Sequence, residues 1–205
     1  MPTTLTESRR PLKWPLLGLP VLATVLGYLS MPPFAEVGDE IGYMLRVTAR
    51  TAFVYLMLAY LARPLVMLLG NLELFHGLSR GMLRHRRYLG LGMAIAHTVH
   101  AGYVVALVVV LDMELDLVTR LLGGGAFVIM WLMAATSNRY GVALLGQNWR
   151  RLHLLGLHWL WVVMVYTFAG RIAQEPAYAT YVLVGLLGLM LRSWVYWSAR
   201  TRRAR

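Results

Sequence analysis

Histidine is the residue type that could do chemistry in this 205-residue chain, which contains six of them. Four lie inside long apolar runs, where ionisable side chains are rare and usually functional: His97, His100, His153 and His158. The first two are three residues apart, so they share one face of a helix. The second two are five residues apart, which separates them by about 140° around a helix. The other two, His76 and His85, lie in an arginine-rich stretch and are interpreted as surface residues.

Two imidazoles that face each other across a helical bundle are natural axial ligands for haem iron. Counted at about 1.5 Å per residue from the preceding arginines, His97 lies near 15 Å and His158 near 10 Å along their helices. Of the four histidines, these two are therefore predicted to lie at the most similar depth in the membrane. The structural alternative to ligand binding is that each of these histidines forms a hydrogen bond to a neighbouring helix. Zinc is a weaker possibility, because a catalytic zinc site usually needs a third histidine or a carboxylate.

Several other chemistries are excluded. The chain has no cysteine, which rules out disulfides, thiolate metal sites and iron–sulfur clusters. It also lacks the sequence motifs of zinc proteases, serine hydrolases, nucleotide-binding loops and dinucleotide-binding folds. The run Gly123-Gly124-Gly125 lies within an apolar stretch and is interpreted as a helix-packing feature. Redox chemistry would thus require histidine-held or freely diffusing cofactors.

The elements that carry these histidines are predicted to be membrane-spanning helices. Hydrophobic residues make up 59% of the chain and charged residues 14%, far from the composition of a soluble domain. Six apolar stretches approach the length of about 20 residues that crosses a bilayer as a helix. They cover residues 14–30, 43–69, 88–111, 117–136, 152–169 and 177–197. The fold class predicted is an all-α membrane protein, a bundle of six transmembrane helices.

Charge predicts the orientation of this bundle in the membrane. Basic residues collect in the N-terminal arm (1–13), in alternate gaps between the stretches and in the basic tail (199–205), whereas the other gaps are acidic. By the positive-inside rule, both termini of the six-helix domain (14–198) are expected to be cytoplasmic. The small size and arginine-rich composition suggest a bacterial inner (plasma) membrane. The net charge of +11 therefore indicates topology and contact with the lipid bilayer, with no nucleic acid as partner.

Two dense motifs resemble a known family. The first is Arg84-His85-Arg86-Arg87-Tyr88-Leu89-Gly90-Leu91, which leads to His100 and Tyr103. The second is Thr136-Ser137-Asn138 followed by Leu145-Gly146-Gln147-Asn148-Trp149-Arg150-Arg151-Leu152-His153. A fainter match is Thr51-Ala52-Phe53 with Arg63-Pro64-Leu65. Across residues 50–170 the chain resembles the ferric reductase-like transmembrane family, especially its small haem-binding subunits of the MsrQ/YedZ type.

The resemblance implies a function. Members hold b-type haem between the third and fifth helices of a six-helix bundle and pass electrons across the membrane. His100 and His153 fall on family histidine positions. From these positions and the depth of the other two histidines, we expect one or two haems b with His97, His100, His153 and His158 as axial ligands, and the resemblance implies ferric iron or a partner extracytoplasmic oxidoreductase as acceptor. The electron donor would be a flavin reductase, free reduced flavin or a quinol, because the chain has no flavin or nicotinamide domain of its own.

One position departs from the family pattern. Family members commonly carry another histidine about thirteen residues after the position of His153, and this chain has Tyr166 there. The usual outer ligand pair is therefore broken, while His97 and His158 offer a shifted alternative. A cofactor-free scaffold or accessory subunit and, less favoured, a small transporter with histidine proton relays are the rival functions.

Overall fold

The computed structural model describes residues 13–70 and 72–203 and is helical along most of that length. Its α-helices are α1 (Lys13–Leu29), α2 (Val37–Leu69), α3 (Glu73–Val110), α4 (Gly124–Ala135), α5 (Arg139–Leu145), α6 (Gln147–Ala169) and α7 (Tyr178–Arg203). A π-helical turn, Thr119–Gly123, leads directly into α4. The predicted N-terminal arm lies almost wholly outside the described residues, as do the last two residues of the tail.

The all-helical class is confirmed, and four helices are long and apolar enough to cross a bilayer: α2, α3, α6 and α7. The segment Thr119–Ala135 with Arg139–Leu145 gives a fifth if this bent pair forms one span, with a bend of 107° between the two parts. The first helix has 17 residues and contains Pro20, so it is shorter than these spans. The helices are thus those of a membrane protein with four or five candidate spans.

The long helix α2 lies at the centre of the fold, packed against α1, α3, α6 and α7. Its residues Phe53, Leu56, Met57 and Tyr60 are almost completely buried and form much of the core. Helices α3 and α6 each pack against both α2 and α4. These four helices therefore form a ring in which α3 and α6, the carriers of the four histidines, occupy opposite corners.

Helix α3 begins much earlier than predicted. The prediction started this helix at Tyr88, whereas the structure starts it at Glu73 and includes the arginine-rich segment as helix. At 38 residues the helix is about 57 Å long, well beyond the roughly 30 Å of a hydrocarbon core. Its first turns therefore extend out of the membrane, and α7 likewise continues through part of the predicted basic tail.

The connection between α4 and α6 makes a sharp change of direction. Asn138 begins α5 by accepting a hydrogen bond from the backbone N–H of Gly141 (2.8 Å), as an N-cap residue does. Gly146 ends α5 with φ of 50°, a backbone conformation that side-chain-bearing residues rarely adopt. These two residues turn the chain so that α6 can run back along α4.

Pro64 lies inside α2, which continues past it to Leu69. A proline has no N–H, so the carbonyl of Tyr60, four residues earlier, loses its helical partner. The guanidinium of Arg192 on α7 donates to that carbonyl at 3.0 Å. An arginine 132 residues away thus satisfies the backbone oxygen that Pro64 leaves open.

Candidate functional site

The two histidines of α3 stack against each other near the middle of the ring of helices. Their ring centroids are 5.1 Å apart and the planes differ by 5°. Nδ1 of His100 lies 3.0 Å from the hydroxyl of Thr48 on α2, and that hydroxyl donates to the carbonyl of Met44 at 2.7 Å. Because the Thr48 proton is used there, its oxygen accepts from Nδ1–H. This tautomer leaves Nε2 of His100 with a lone pair that can bind a metal.

His97 is the more enclosed member of the pair. It is 8% exposed and lies between His100 and Phe127 of α4, whose ring centroid is 4.7 Å away. Its Nδ1 is buried without a hydrogen-bond partner. An unpaired buried polar atom costs on the order of 1–3 kcal/mol, so a ligand that engaged this imidazole would relieve that cost.

His158 lies on α6 beside an apolar groove. Its Nδ1 is 2.7 Å from the carbonyl of Leu154, one helical turn earlier, and its ring meets Tyr60 edge-on at 5.6 Å. The groove has a volume of about 460 Å³. It is lined by Ile129, Leu152, Leu155, Gly156, His158, Trp159 and Val162. Because Nδ1–H donates to the Leu154 carbonyl, Nε2 of His158 is the nitrogen available to a ligand.

His153 lies one turn nearer the start of α6 and is more constrained. Its Nδ1 is 3.0 Å from the carbonyl of Trp149, and the two rings stack at 4.1 Å. Its Nε2 lies 3.2 Å from both the Ser137 hydroxyl and the Met133 carbonyl. This histidine joins α6 to the end of α4, and a ligand at Nε2 would have to displace Ser137.

The contacts of α2 and α4 indicate how the two pairs are arranged along the bundle. Thr48 contacts His100 and Tyr60 contacts His158, and these α2 residues are separated by about 18 Å of helix. On α4, Phe127 contacts His97, while Ile129, two residues on, lines the groove of His158. Phe127 also contacts His100, at 6.3 Å between ring centroids. Since α3 runs antiparallel to α2, His97 is nearer than His100 to the level of His158, but the α2 contacts still leave His97 and His158 about 13 Å apart along the bundle.

The histidines of α3 and α6 do not touch each other. In the part of the chain that the structure describes, no ring contact joins the two helices' histidines, and no three histidine or acidic side chains gather as a metal site. A haem iron needs only one imidazole from each side. The donor chemistry fits such a group, because the imidazoles have no acidic neighbour and His97, His100 and His158 each have a nitrogen without a protein partner.

Tyr166 and the aromatic residues near the histidines have different roles. Tyr166 is 59% exposed on α6. Trp161 is buried and donates from Nε1 to the carbonyl of Gly185 at 3.0 Å, which joins α6 to α7. Trp159 lines the groove of His158. Of these three, Trp159 is the aromatic residue that shares a surface with a candidate ligand.

The predicted spans contain several arginines, and sequence reasoning assigned no role to two of them that have partners in the structure, Arg50 and Arg192. Arg50 on α2 forms an ion pair with Glu175, between α6 and α7, and its guanidinium lies 4.9 Å from the ring of Tyr178. Its Nε is buried without a partner. An arginine within an apolar run is itself a signal for a buried partner, although sequence spacing does not identify which one.

Comparisons with known proteins leave the family open. No family model matches the chain, and no solved structure matches it. The functional assignment therefore depends on the histidines, their partners and the helices that hold them.

Proposed function

We propose that this chain is a haem b-binding electron-transfer protein of the membrane, with six spans and both termini in the cytoplasm. The observation that carries the proposal is the burial and hydrogen bonding of the imidazoles on α3 and α6, which occupy opposite corners of the helix ring. His97 is buried with Nδ1 unpaired, and His158 has Nδ1 bonded to its own helix. His158 therefore has the arrangement that is common in metal-binding histidines, whose other nitrogen is held by a carbonyl or hydroxyl, whereas Nδ1 of His97 is buried without such a partner.

His97 and His158 are the first candidates for an axial pair, because they are nearer in level than His100 and His158. His100 and His153 are the remaining candidate ligands on the same helices, and a second haem would use them. One-electron cycling between ferric and ferrous iron is the chemistry that bound haem would supply. The chain's own residues would fix the ligand nitrogens and surround them with a low-dielectric helix bundle.

The electron donor and acceptor must come from outside the chain. A flavin reductase, free reduced flavin or a quinol would deliver electrons, and ferric iron or an extracytoplasmic oxidoreductase would receive them. The arginine-rich end of the bundle favours an anionic or acidic donor there, because opposite charges accelerate encounter. Arg86, Arg87, Arg150 and Arg151 are the residues at that end that could also pair with haem propionates.

The proposal is tested by a dithionite-reduced minus oxidised spectrum of detergent-purified protein, with pyridine haemochrome quantitation. His97, His100, His153 and His158 are each changed to alanine, and His76→Ala and His85→Ala serve as matched controls. We expect a b-type spectrum that is lost with at least one substitution on α3 and one on α6, while both controls keep it. Monodisperse protein that stays free of haem even when haem is supplied would overturn the proposal.

A cofactor-free scaffold or accessory subunit is the second candidate, and one set of contacts favours it. His100, His153 and His158 each have a hydrogen-bond partner within the protein. Such bonds between and within helices stabilise a bundle without any cofactor. On this alternative, the alanine variants would lower thermal stability while the wild-type protein shows no absorption band of haem.

A further inference from the structure

The hydroxyl of Tyr60 lies in the core without a hydrogen-bond partner in the part of the chain that the structure describes. The side chain of this α2 residue is 0% exposed, and its oxygen is among the buried polar atoms left unpaired. Tyr55, five residues earlier, has the usual arrangement, because its hydroxyl donates to the Leu16 carbonyl at 3.1 Å. Phenylalanine would fill the place of Tyr60 without burying an unpaired group. The hydroxyl therefore indicates a partner that the protein does not itself supply.

The neighbours of Tyr60 hold its ring in one position. The guanidinium of Arg192 on α7 lies 4.5 Å from the ring centroid. The ring of Trp161 on α6 stacks on it at 6.5 Å, and His158 meets it edge-on at 5.6 Å. Because interiors are closely packed, the ring cannot turn toward another protein group without breaking these contacts. A ligand that satisfies the hydroxyl must therefore come to it, and His158 is the candidate ligand-binding residue at its edge.

Arg192 brings a positive charge to the same place. Its guanidinium is fixed there because it donates to the Tyr60 carbonyl that Pro64 leaves open. The ion pair that the structure gives among the described residues joins Arg50 to Glu175, so Arg192 has no carboxylate partner there. A guanidinium has several N–H donors, and the bond to the carbonyl leaves others for a further acceptor. A hydroxyl beside a guanidinium suits the carboxylate of a ligand.

We propose that the Tyr60 hydroxyl, beside the Arg192 guanidinium, donates a hydrogen bond to a propionate of haem b bound at His158. This inference rests on the proposed function and specifies a further contact of that site. A group that binds Nε2 of His158 lies among the neighbours of that imidazole, and Tyr60 is a neighbour with an unpaired donor. The propionates are the anionic groups of haem, so they suit a donor next to a positive charge. The contact fixes the orientation of the macrocycle about the iron–imidazole bond.

The first measurement is thermal unfolding of detergent-purified protein prepared from haem-deficient cells. Tyr60→Phe removes a hydroxyl that is unpaired without its ligand, so we expect the midpoint to rise by about 2–4 °C. Tyr55→Phe is the matched control on the same helix. It removes a hydroxyl that has a partner, so its midpoint should fall. A lower midpoint for Tyr60→Phe would show that this hydroxyl already has a partner, and it would overturn the proposal.

The second measurement is titration of the same haem-free proteins with haem b and with haem dimethyl ester, in which both propionates are uncharged. We expect Tyr60→Phe to weaken binding of haem b about tenfold, as loss of a hydrogen bond to a charged group does. Binding of the ester should be unchanged by this substitution, because the charged acceptor is already absent. Tyr55→Phe should bind both compounds as the wild-type protein does.

The titration separates this inference from the proposed function. Wild-type affinity of Tyr60→Phe for haem b would overturn the propionate contact and leave haem binding standing. An equal loss of affinity for haem b and for the ester would also overturn it, because the hydroxyl would then support the site as a whole. A wild-type protein that binds neither compound would overturn the proposed function together with this contact.

Discussion

The candidate histidines differ in how far their partners lie from them in sequence. His153 and His158 bond to carbonyls four residues earlier, Trp149 and Leu154, as a helical histidine facing its own backbone can do. Those two bonds follow from helical periodicity. His100 bonds instead to Thr48, 52 residues away on another helix. No sequence pattern within α3 identifies that partner, which only the packing of α2 against α3 provides.

Thr48 is the residue whose change separates a ligand role from a structural one. Thr48→Val removes the acceptor of His100 Nδ1–H at a side chain that is 0% exposed, with little change of volume. If His100 binds haem, we expect the variant to retain the fold but to weaken haem retention about 10-fold to 100-fold and to raise the reduction potential, because a less basic imidazole stabilises ferric iron less. Haem titration of the apoprotein and redox potentiometry measure the two effects.

Thr51→Val is the matched control for this substitution. The Thr51 hydroxyl donates to the carbonyl of Val47 within the same helix and contacts no histidine. The control should therefore have wild-type haem affinity and potential. Identical behaviour of the two valine variants would remove His100 from the set of ligands.

At the scale of elements, hydropathy predicted the apolar parts of the helices and misjudged where they end. The segment before Tyr88 is rich in arginine, so hydropathy predicts a connection between two spans there. Arginine, leucine and methionine are nevertheless good helix formers. Their helix propensity extends α3 beyond its apolar part, back to Glu73, although the hydropathy of this segment is low. The short helix α5 was missed for a different reason, because seven residues between Asn138 and Gly146 are too few for a periodic signal.

Close packing of α3 against α1 and α2 depends on Gly92. A Cβ at this position would lie 2.4 Å from the ring of Tyr55 and 3.0 Å from the Leu16 carbonyl oxygen. Gly92→Ala should therefore destabilise the bundle by about 1–3 kcal/mol, since neither the buried ring nor the α1 backbone can move freely. Thermal unfolding in detergent, followed by tryptophan fluorescence, measures the change.

Gly90, two residues earlier on the same helix, is the control. A Cβ there meets nothing within 4 Å. Gly90→Ala should be neutral or stabilising by up to about 1 kcal/mol, because alanine favours the helix. Equal destabilisation by both alanines would mean that the contact of Gly92 with Tyr55 is not what limits stability.

At the scale of the whole molecule, charge is divided between the two ends of the bundle. The arginine-rich end includes Arg63, Arg86 and Arg192, whereas the turn between α6 and α7 at the other end carries Glu175, which pairs with Arg50. Sequence reasoning predicted the division of charge from the gaps between spans. It could not predict these contacts, because their partners are more than 100 residues apart and come together only in the folded bundle.

The number of spans depends on α1, which is 17 residues long and interrupted by Pro20. The chain contains no cysteine, so single cysteines can be introduced at Thr6, Met113 and Thr201 without background labelling. In sealed vesicles of both orientations, a membrane-impermeant maleimide should label Thr6→Cys and Thr201→Cys from one side and Met113→Cys from the other. With α2 and α3 both crossing the membrane, that pattern requires α1 to cross it as well. It also requires an odd number of crossings between Met113 and the C-terminus. Labelling of Thr6→Cys from the side of Met113 would place both ends of α1 on that side and exclude the six-span topology.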